Sequence, residues 1–75
     1  MFLMKLKDDY EEVLINRDEI VSVVIRYKDK YVGYRLHINF KNQSTINLTY
    51  MELKDAQNEM DKILGWYLVF FKEKI

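Results

Sequence analysis

The chain has 75 residues, of which twelve are basic and twelve are acidic, and hydrophobic residues make up 49% of it. The zero net charge argues against a protein that binds nucleic acid mainly through phosphate contacts, since such proteins usually carry a basic excess. The chain contains no cysteine, which excludes disulfides and thiolate metal sites and is compatible with a cytoplasmic location. The length predicts a single domain, residues 1–75.

Alternation of apolar and polar residues predicts three strands in the first part of the chain, at 2–7, 11–15 and 20–27. Polar turn formers at 8–10 and 16–19 separate them. The third strand is rich in β-branched residues. Its apolar face is predicted to carry Val21, Val23, Ile25 and Tyr27.

The most regular pattern lies between Tyr34 and Tyr50, where apolar and polar residues alternate on both sides of a break at 42–44. Successive side chains of a strand point to opposite faces. The pattern therefore predicts an antiparallel hairpin of strands 32–41 and 45–50, with one buried face and one solvent-exposed face.

The register of the hairpins follows from the rule that opposed residues share a face. Pairing Phe40 with Ile46 leaves a loop at 42–44. Pairing Tyr27 with Val32 leaves a four-residue loop at 28–31. A polar row would then cross the exposed face, and its members would be Ser22, His37 and Thr49.

After Tyr50 the apolar residues change to helical spacing. They predict a helix over about 52–64 that lies across the apolar face of the sheet. The apolar stripe consists of Leu53, Ala56, Met60, Ile63, Leu64 and Tyr67, and the polar side of Glu52, Lys54, Asp55, Asn58, Glu59 and Lys62.

Two alternatives remain open for the apolar segment 66–71. The helix could continue through Gly65 to residue 71, since one interior glycine costs only about 1 kcal/mol. Gly65 could instead end the helix, with 66–71 forming a sixth strand, and the aromatic and β-branched content slightly favours this break. In both cases the segment is apolar on more than one side, which predicts a homo-oligomer, first of all a dimer, associating through Trp66 and Phe70.

These elements predict an α+β fold: an antiparallel sheet of about five strands, or a partly open small barrel, over residues 2–50, covered by one C-terminal helix. The only stretch that approaches a membrane segment, Trp66 to Phe71, is far shorter than the ~20 residues that a spanning helix needs. No membrane association is expected.

No catalytic, metal or cofactor signature stands in the sequence. His37 is the only histidine, and its most plain interpretation is an exposed strand residue bonded to its neighbours. Ser22 and Ser44 lack any nucleophile motif. The acidic pairs Asp8-Asp9, Glu11-Glu12 and Asp18-Glu19 consist of neighbours whose side chains diverge on a strand, so they are poor acid–base pairs. An enzyme is not expected.

Three sequence segments carry a family resemblance: "EEVLINRDEIVSVVI", "NFKNQSTINLTY" and "LKDAQNEMDKIL". In this order the chain resembles small bacterial and phage proteins of the flagellar FlbD-like type and, more broadly, small pleckstrin-homology-like domains. The resemblance implies hairpins that lead to a single C-terminal helix. A composition heavy in Lys, Asn, Ile and Tyr is also typical of an AT-rich Gram-positive bacterium or its phage.

The first functional hypothesis is a non-enzymatic interaction module that self-associates and binds a protein partner, for example a host or defence protein, through its exposed sheet face. The expected binding residues are Arg35, His37, Asn39, Asn47 and Thr49. One alternative is an oligomer that sequesters a nucleotide-like small molecule with Arg26, Tyr31 and Arg35. A second alternative is a weak binder of single-stranded nucleic acid.

Overall fold

The computed structural model describes the backbone of residues 3–74 and the side chains of residues 3–65. Within this part of the chain, five strands precede one long helix. The elements are β1 (Leu3–Lys7), β2 (Glu12–Asn16), a 3₁₀ turn (Arg17–Glu19), β3 (Ile20–Asp29), β4 (Gly33–Phe40), β5 (Thr45–Tyr50) and α1 (Leu53–Lys74). The fold class is α+β, and each described strand lies within two residues of its predicted bounds.

The strands form two antiparallel sheets, one of β1 and β2 and one in the order β3-β4-β5. The prediction of one five-stranded sheet or a partly open small barrel is wrong in this respect. The 3₁₀ turn redirects the chain between the sheets, and the Asn16 side chain caps it by accepting the Asp18 N–H at 3.0 Å. The β1–β2 turn then meets β5 at Thr49: the Thr49 N–H donates to Asp8 Oδ2 at 2.7 Å, and the Asp9 N–H donates to the Thr49 carbonyl at 3.3 Å.

The hairpin of β4 and β5 has the predicted faces but not the predicted register. Ile38, rather than Phe40, lies opposite Ile46. In the loop the Gln43 N–H donates to the Phe40 carbonyl at 2.9 Å, and Gln43 adopts a φ of 70°. A type I turn followed by a left-handed residue is a common three-residue hairpin connection. Glycine is the usual residue at the left-handed position, so the glutamine at position 43 does not indicate this loop conformation in the sequence.

The hairpin of β3 and β4 is shifted in the same way, with Tyr27 opposite Tyr34 instead of Val32. Asp29 closes its tip, because Asp29 Oδ1 accepts two backbone N–H groups of the following loop, both at 2.8 Å. Gly33 then begins β4 with a φ of 84°. The turn is thus set by the capping carboxylate of Asp29 and by a left-handed glycine at position 33.

A bulge between Ile20 and Ser22 changes which side chains of β3 face the core. Val21, predicted on the buried face, is 65% exposed. Tyr27 keeps its predicted face but lies near the end of the strand, where it is 60% exposed and its ring contacts Tyr34 edge-on at 5.3 Å between centroids. The prediction of these two residues as core is therefore wrong.

The core lies between the three-stranded sheet and α1, with a contribution from β1 and β2. Its buried members among the described side chains are Leu6, Ile15, Leu36, Ile38, Leu48, Tyr50, Ala56 and Ile63. Half-buried Met60 and Leu64 pack beside Ala56 and Ile63, as the helical spacing predicts. Leu53 is 39% exposed, so the buried stripe begins one turn later than predicted.

The helix continues through Gly65 to Lys74, so the alternative of a sixth strand at 66–71 is wrong. Trp66 and Phe70, expected to mediate association, lie outside the described side chains, and their role stays a prediction. The part of the chain that the structure describes contains no helix that is both long and apolar enough to cross a membrane.

Candidate functional site

The face of the β3-β4-β5 sheet that points away from α1 carries all five residues expected to form a binding face. Because of the register, three rows of side chains cross this open face from β3 to β5. The rows are Ser22–Asn39–Thr45, Val24–His37–Asn47 and Arg26–Arg35–Thr49. The predicted row of Ser22, His37 and Thr49 is wrong, since its members fall in three different rows.

The first row is held by side-chain hydrogen bonds along its whole width. Asn39 Nδ2 donates to Ser22 Oγ at 2.8 Å, and Thr45 Oγ1 donates to Asn39 Oδ1 at 2.9 Å. Both ends of the Asn39 amide are therefore engaged, which fixes its orientation. This end of the open face is pre-organised.

The central row joins an apolar residue to a polar pair. His37 Nδ1 lies 2.5 Å from Asn47 Oδ1, so Nδ1 carries the proton in this arrangement. The other ring nitrogen, Nε2, is buried and has no hydrogen-bond partner among the described residues. Val24 lies opposite His37 on β3 and is 37% exposed. The centre of the open face thus offers a small apolar contact beside the imidazole.

The third row places two arginines directly opposite each other. Arg26 and Arg35 are register partners, and Thr49 follows on β5. Neither arginine forms an ion pair with a described residue. Like charges directly opposite each other on a sheet are destabilising, so this row is a positively charged end of the open face that lacks a counter-charge in the described chain.

Tyr31, expected to act with the two arginines on a small ligand, lies apart from them. It is in the turn at the tip of the β3–β4 hairpin, beyond the Tyr27–Tyr34 pair, and is 77% exposed. Lys30 Nζ lies 5.2 Å from the centroid of its ring, which is a cation–π contact. The structure therefore brings Arg26 and Arg35 together but not Tyr31.

Apart from the open face, the structure contains a cleft that the sequence did not suggest. It lies where the β1–β2 turn meets β5 and the start of α1. It is a cleft of about 510 Å³ lined by Lys7, Asp8, Asp9, Tyr50, Asp55, Asn58, Glu59 and Lys62. Two carboxylates at its wall already bind the backbone: Asp8 accepts three N–H groups at 2.7 Å, and Asp9 accepts the Met51 N–H at 3.0 Å. No group of three or more histidine or acidic side chains that could hold a metal occurs in the described residues. The cleft serves mainly to join the two sheets.

Glu59 is buried in this cleft, at 6% exposure, although its type predicted the polar side of the helix. Its Oε2 accepts the Lys7 N–H at 3.2 Å and its Oε1 lies 2.6 Å from Lys62 Nζ. The sequence contained a signal for this position, because Glu59 is three residues after Ala56 and four before Ile63, on the buried stripe. The carboxylate links α1 to the last residue of β1.

We expect Glu59→Ala to lower the free energy of unfolding by about 2 kcal/mol, because it removes a charged acceptor from a backbone donor that has no other partner there. Asp61→Ala, two residues away on the exposed side of the helix, should change it by less than about 0.5 kcal/mol. Urea denaturation of both variants measures the difference. Equal effects would show that Glu59 does not join α1 to β1.

Tyr50 lies at the base of the same cleft and is 2% exposed. Its hydroxyl donates to the Lys7 carbonyl at 2.7 Å. Burial raises the pKa of this phenol well above its ordinary value of 10.0, and the neighbouring carboxylates, Glu59 first, raise it further. Tyr50 is thus held as a neutral donor that fastens β5 to β1.

Comparison of the chain with protein-family models, with curated proteins and with solved structures gave no match. The interpretation of the site therefore depends on its own geometry. Of the two regions described above, the cleft has three carboxylates, Asp8, Asp9 and Glu59, that accept hydrogen bonds from the chain itself. The open face, by contrast, has an arginine pair with no counter-charge in the described residues.

Proposed function

We propose that the protein is a small non-enzymatic interaction module whose open face binds an acidic segment of another protein. The Arg26–Arg35 pair is the observation that supports this most directly. Two opposed guanidinium groups disfavour the free fold, and a carboxylate placed between them would convert that repulsion into charge-assisted hydrogen bonds. Arginine is also the cation best suited to hold a carboxylate in a two-pronged geometry.

The remainder of the open face would supply orientation rather than charge. Asn39 and Thr45 are already fixed by hydrogen bonds, so little side-chain freedom is lost when a partner docks. Val24 offers an apolar contact between the hydrogen-bonded row and the arginines. An acidic segment with one apolar side chain would match the three rows in order.

A nucleotide-like ligand is the weaker candidate, because Tyr31, the aromatic residue that would stack on a base, lies at the hairpin tip away from the arginine pair. A protein partner needs no such platform. In a bacterial or phage protein of this size, inhibition of a host or defence protein is a role that such a face could perform. The cytoplasm is the compartment that we propose for it.

The test is a titration of isotope-labelled protein, followed by amide chemical shifts, with a Glu-rich decapeptide at low salt. We expect shifts in the three rows, including Arg35, His37 and Asn47, and their loss in the Arg26→Gln/Arg35→Gln double variant. The peptide's affinity should fall as salt is added, because the contact is between exposed charges.

The matched control is Lys5→Gln/Lys54→Gln, which removes the same charge from exposed positions on β1 and α1. It should keep the shifts of the parent protein. Parallel titrations with ATP and with a deca-thymidine strand separate the alternatives. Shifts that appear only with ATP or only with the oligonucleotide would replace the proposal, and no response to the peptide would overturn it.

A further inference from the structure

The free edge of β3 is an unpaired surface of a different kind from the open face. β3 is ten residues long and is paired on one side only, with β4. At the end of β4, the Phe40 N–H donates to the Ser44 carbonyl on the β5 side, and the Lys41 N–H donates to the Glu19 carbonyl on the β3 side. Since backbone groups alternate in direction along a strand, those of Val23, Ile25 and Tyr27 point out of the sheet.

Between Ser22 and Tyr27 this edge is regular, without a bulge, and its first part lacks the charges and prolines that normally prevent pairing with another chain. From Ile20 to Ile25 the sequence is Ile-Val-Ser-Val-Val-Ile, with no charge and no proline. The opposite edge of the sheet, β5, is covered in part, because Asp8 and Asp9 of the β1–β2 turn bind the outward backbone groups of Thr49. One edge of the sheet is therefore covered in part and the other is left open among the described residues.

We propose that the free edge of β3 pairs antiparallel with β3 of a second copy of this chain, which makes a six-stranded sheet across the dimer. The charges at the ends of the strand select this occupant. Asp18 and Glu19 precede β3, whereas at its other end three basic residues, Arg26, Lys28 and Lys30, outnumber the single acidic residue Asp29. Antiparallel pairing brings the acidic end of one copy beside the basic end of the other, whereas parallel pairing would bring like charges together.

The register follows from the outward backbone groups. Val23 of one copy pairs with Ile25 of the other, and Val24 lies opposite its own counterpart in a non-hydrogen-bonded pair. A two-fold axis normal to the sheet then places both helices on the same side. The two Val24 side chains, each 37% exposed in the single chain, meet on the open face.

The direction of the helix supports this arrangement. Ile63 and Leu64 line a small cleft with Ile20 and Val23, so α1 crosses β3 at that level. Ten further residues, 65–74, continue the helix by about 15 Å. Their sequence includes the apolar run Trp66 to Phe71, and the sheet of a second copy would provide a surface for this part of the helix.

Light scattering over a concentration series tests the proposal. The parent protein should approach twice the 9.2 kDa chain mass, and Val24→Lys should weaken dimerisation at least about tenfold by placing like charges face to face. Leu14→Lys, at a 65% exposed position on β2, should leave it unchanged. A parent protein that stays monomeric, or a dimer that tolerates Val24→Lys, would overturn the proposal. Dissociation by Trp66→Ala alone, with Val24→Lys still dimeric, would assign the interface to the helix instead.

A cysteine at position 24 tests the register. The chain contains no other cysteine, and opposed residues of a non-hydrogen-bonded pair lie about 4.5 Å apart, a distance that a disulfide spans. Val24→Cys should oxidise to a covalent dimer much faster than Leu14→Cys. Equal oxidation rates would contradict pairing centred on Val24. Binding of the acidic peptide does not enter either measurement, so the two proposals can fail separately.

Discussion

Replacing Gly33 with alanine is expected to lower the free energy of unfolding by about 3 kcal/mol, through strain and steric overlap acting together. Gly33 has a φ of 84°, a conformation that an L-residue with a side chain rarely adopts. An added Cβ would lie 2.4 Å from the Tyr50 carbonyl oxygen and 2.9 Å from the Met51 Cα. Both contacts are with backbone, so relief requires a shift of β4 relative to the end of β5.

Gly65→Ala is the matched control and is expected to act in the opposite direction. Nothing lies within 4 Å of a Cβ built at Gly65, and the residue lies inside α1. Alanine there should raise the free energy of unfolding by about 0.5–1 kcal/mol, since it removes the entropic cost of a helical glycine. Urea denaturation followed by circular dichroism measures both variants.

A different result would contradict each of the two glycine predictions. A Gly33→Ala protein as stable as the parent would contradict the close approach of β4 to the Tyr50–Met51 backbone. A Gly65→Ala protein that is less stable would show that Gly65 ends the helix in a left-handed cap, as one alternative from the sequence held. The pair thus tests one turn of the sheet and the continuity of the helix.

The faces of the strands could be predicted from the sequence because burial acts on every second residue. Tyr34, Leu36 and Ile38 lie on the core side, and Arg35 and His37 on the other. A two-residue shift of register preserves this alternation. The five proposed binding residues therefore share a face even though the rows in which they lie were predicted wrongly.

The register could not be predicted because it depends on loop conformations that the residue types do not specify. Gln43 adopts a left-handed conformation without being glycine. The contact between the two sheets depends in part on Asp8, whose carboxylate binds the backbone of its own turn and of β5. A residue type common in turns gives no indication that it also caps a distant strand edge.

The buried Glu59 shows a different limit. Residue type assigned it to the polar side of the helix, whereas spacing assigned it to the apolar stripe, and the spacing was the better guide. The Arg26–Arg35 pair was hidden for a related reason, since two arginines nine positions apart become neighbours only when the register is known. Sites of this kind follow from tertiary structure and not from motifs.

Tyr50→Phe is expected to make the protein less stable at neutral pH and more stable than the parent in strong alkali. At pH 8 the variant lacks the hydrogen bond from the phenol to the Lys7 carbonyl, a loss of about 1 kcal/mol. In the parent, burial and neighbouring carboxylates raise the pKa of Tyr50 above its ordinary value of 10.0. The unfolded chain therefore releases this proton first, and the stability that Tyr50 contributes is complete below pH 10 and falls as pH rises further.

The fall amounts to about 1.4 kcal/mol per pH unit for one such group, so the parent should lose about 2 kcal/mol from this source by pH 12. Denaturation at a series of pH values between 8 and 12 should show the stability curves of the parent and Tyr50→Phe crossing. Tyr31→Phe, at a 77% exposed position, should keep the slope of the parent. Parallel curves for the parent and Tyr50→Phe would mean that the phenol ionises as freely in the folded protein as in the unfolded chain. The contact between β5 and the β1 hairpin would then have to be assigned to Asp8 and Asp9, which accept the backbone N–H groups of Thr49 and Met51.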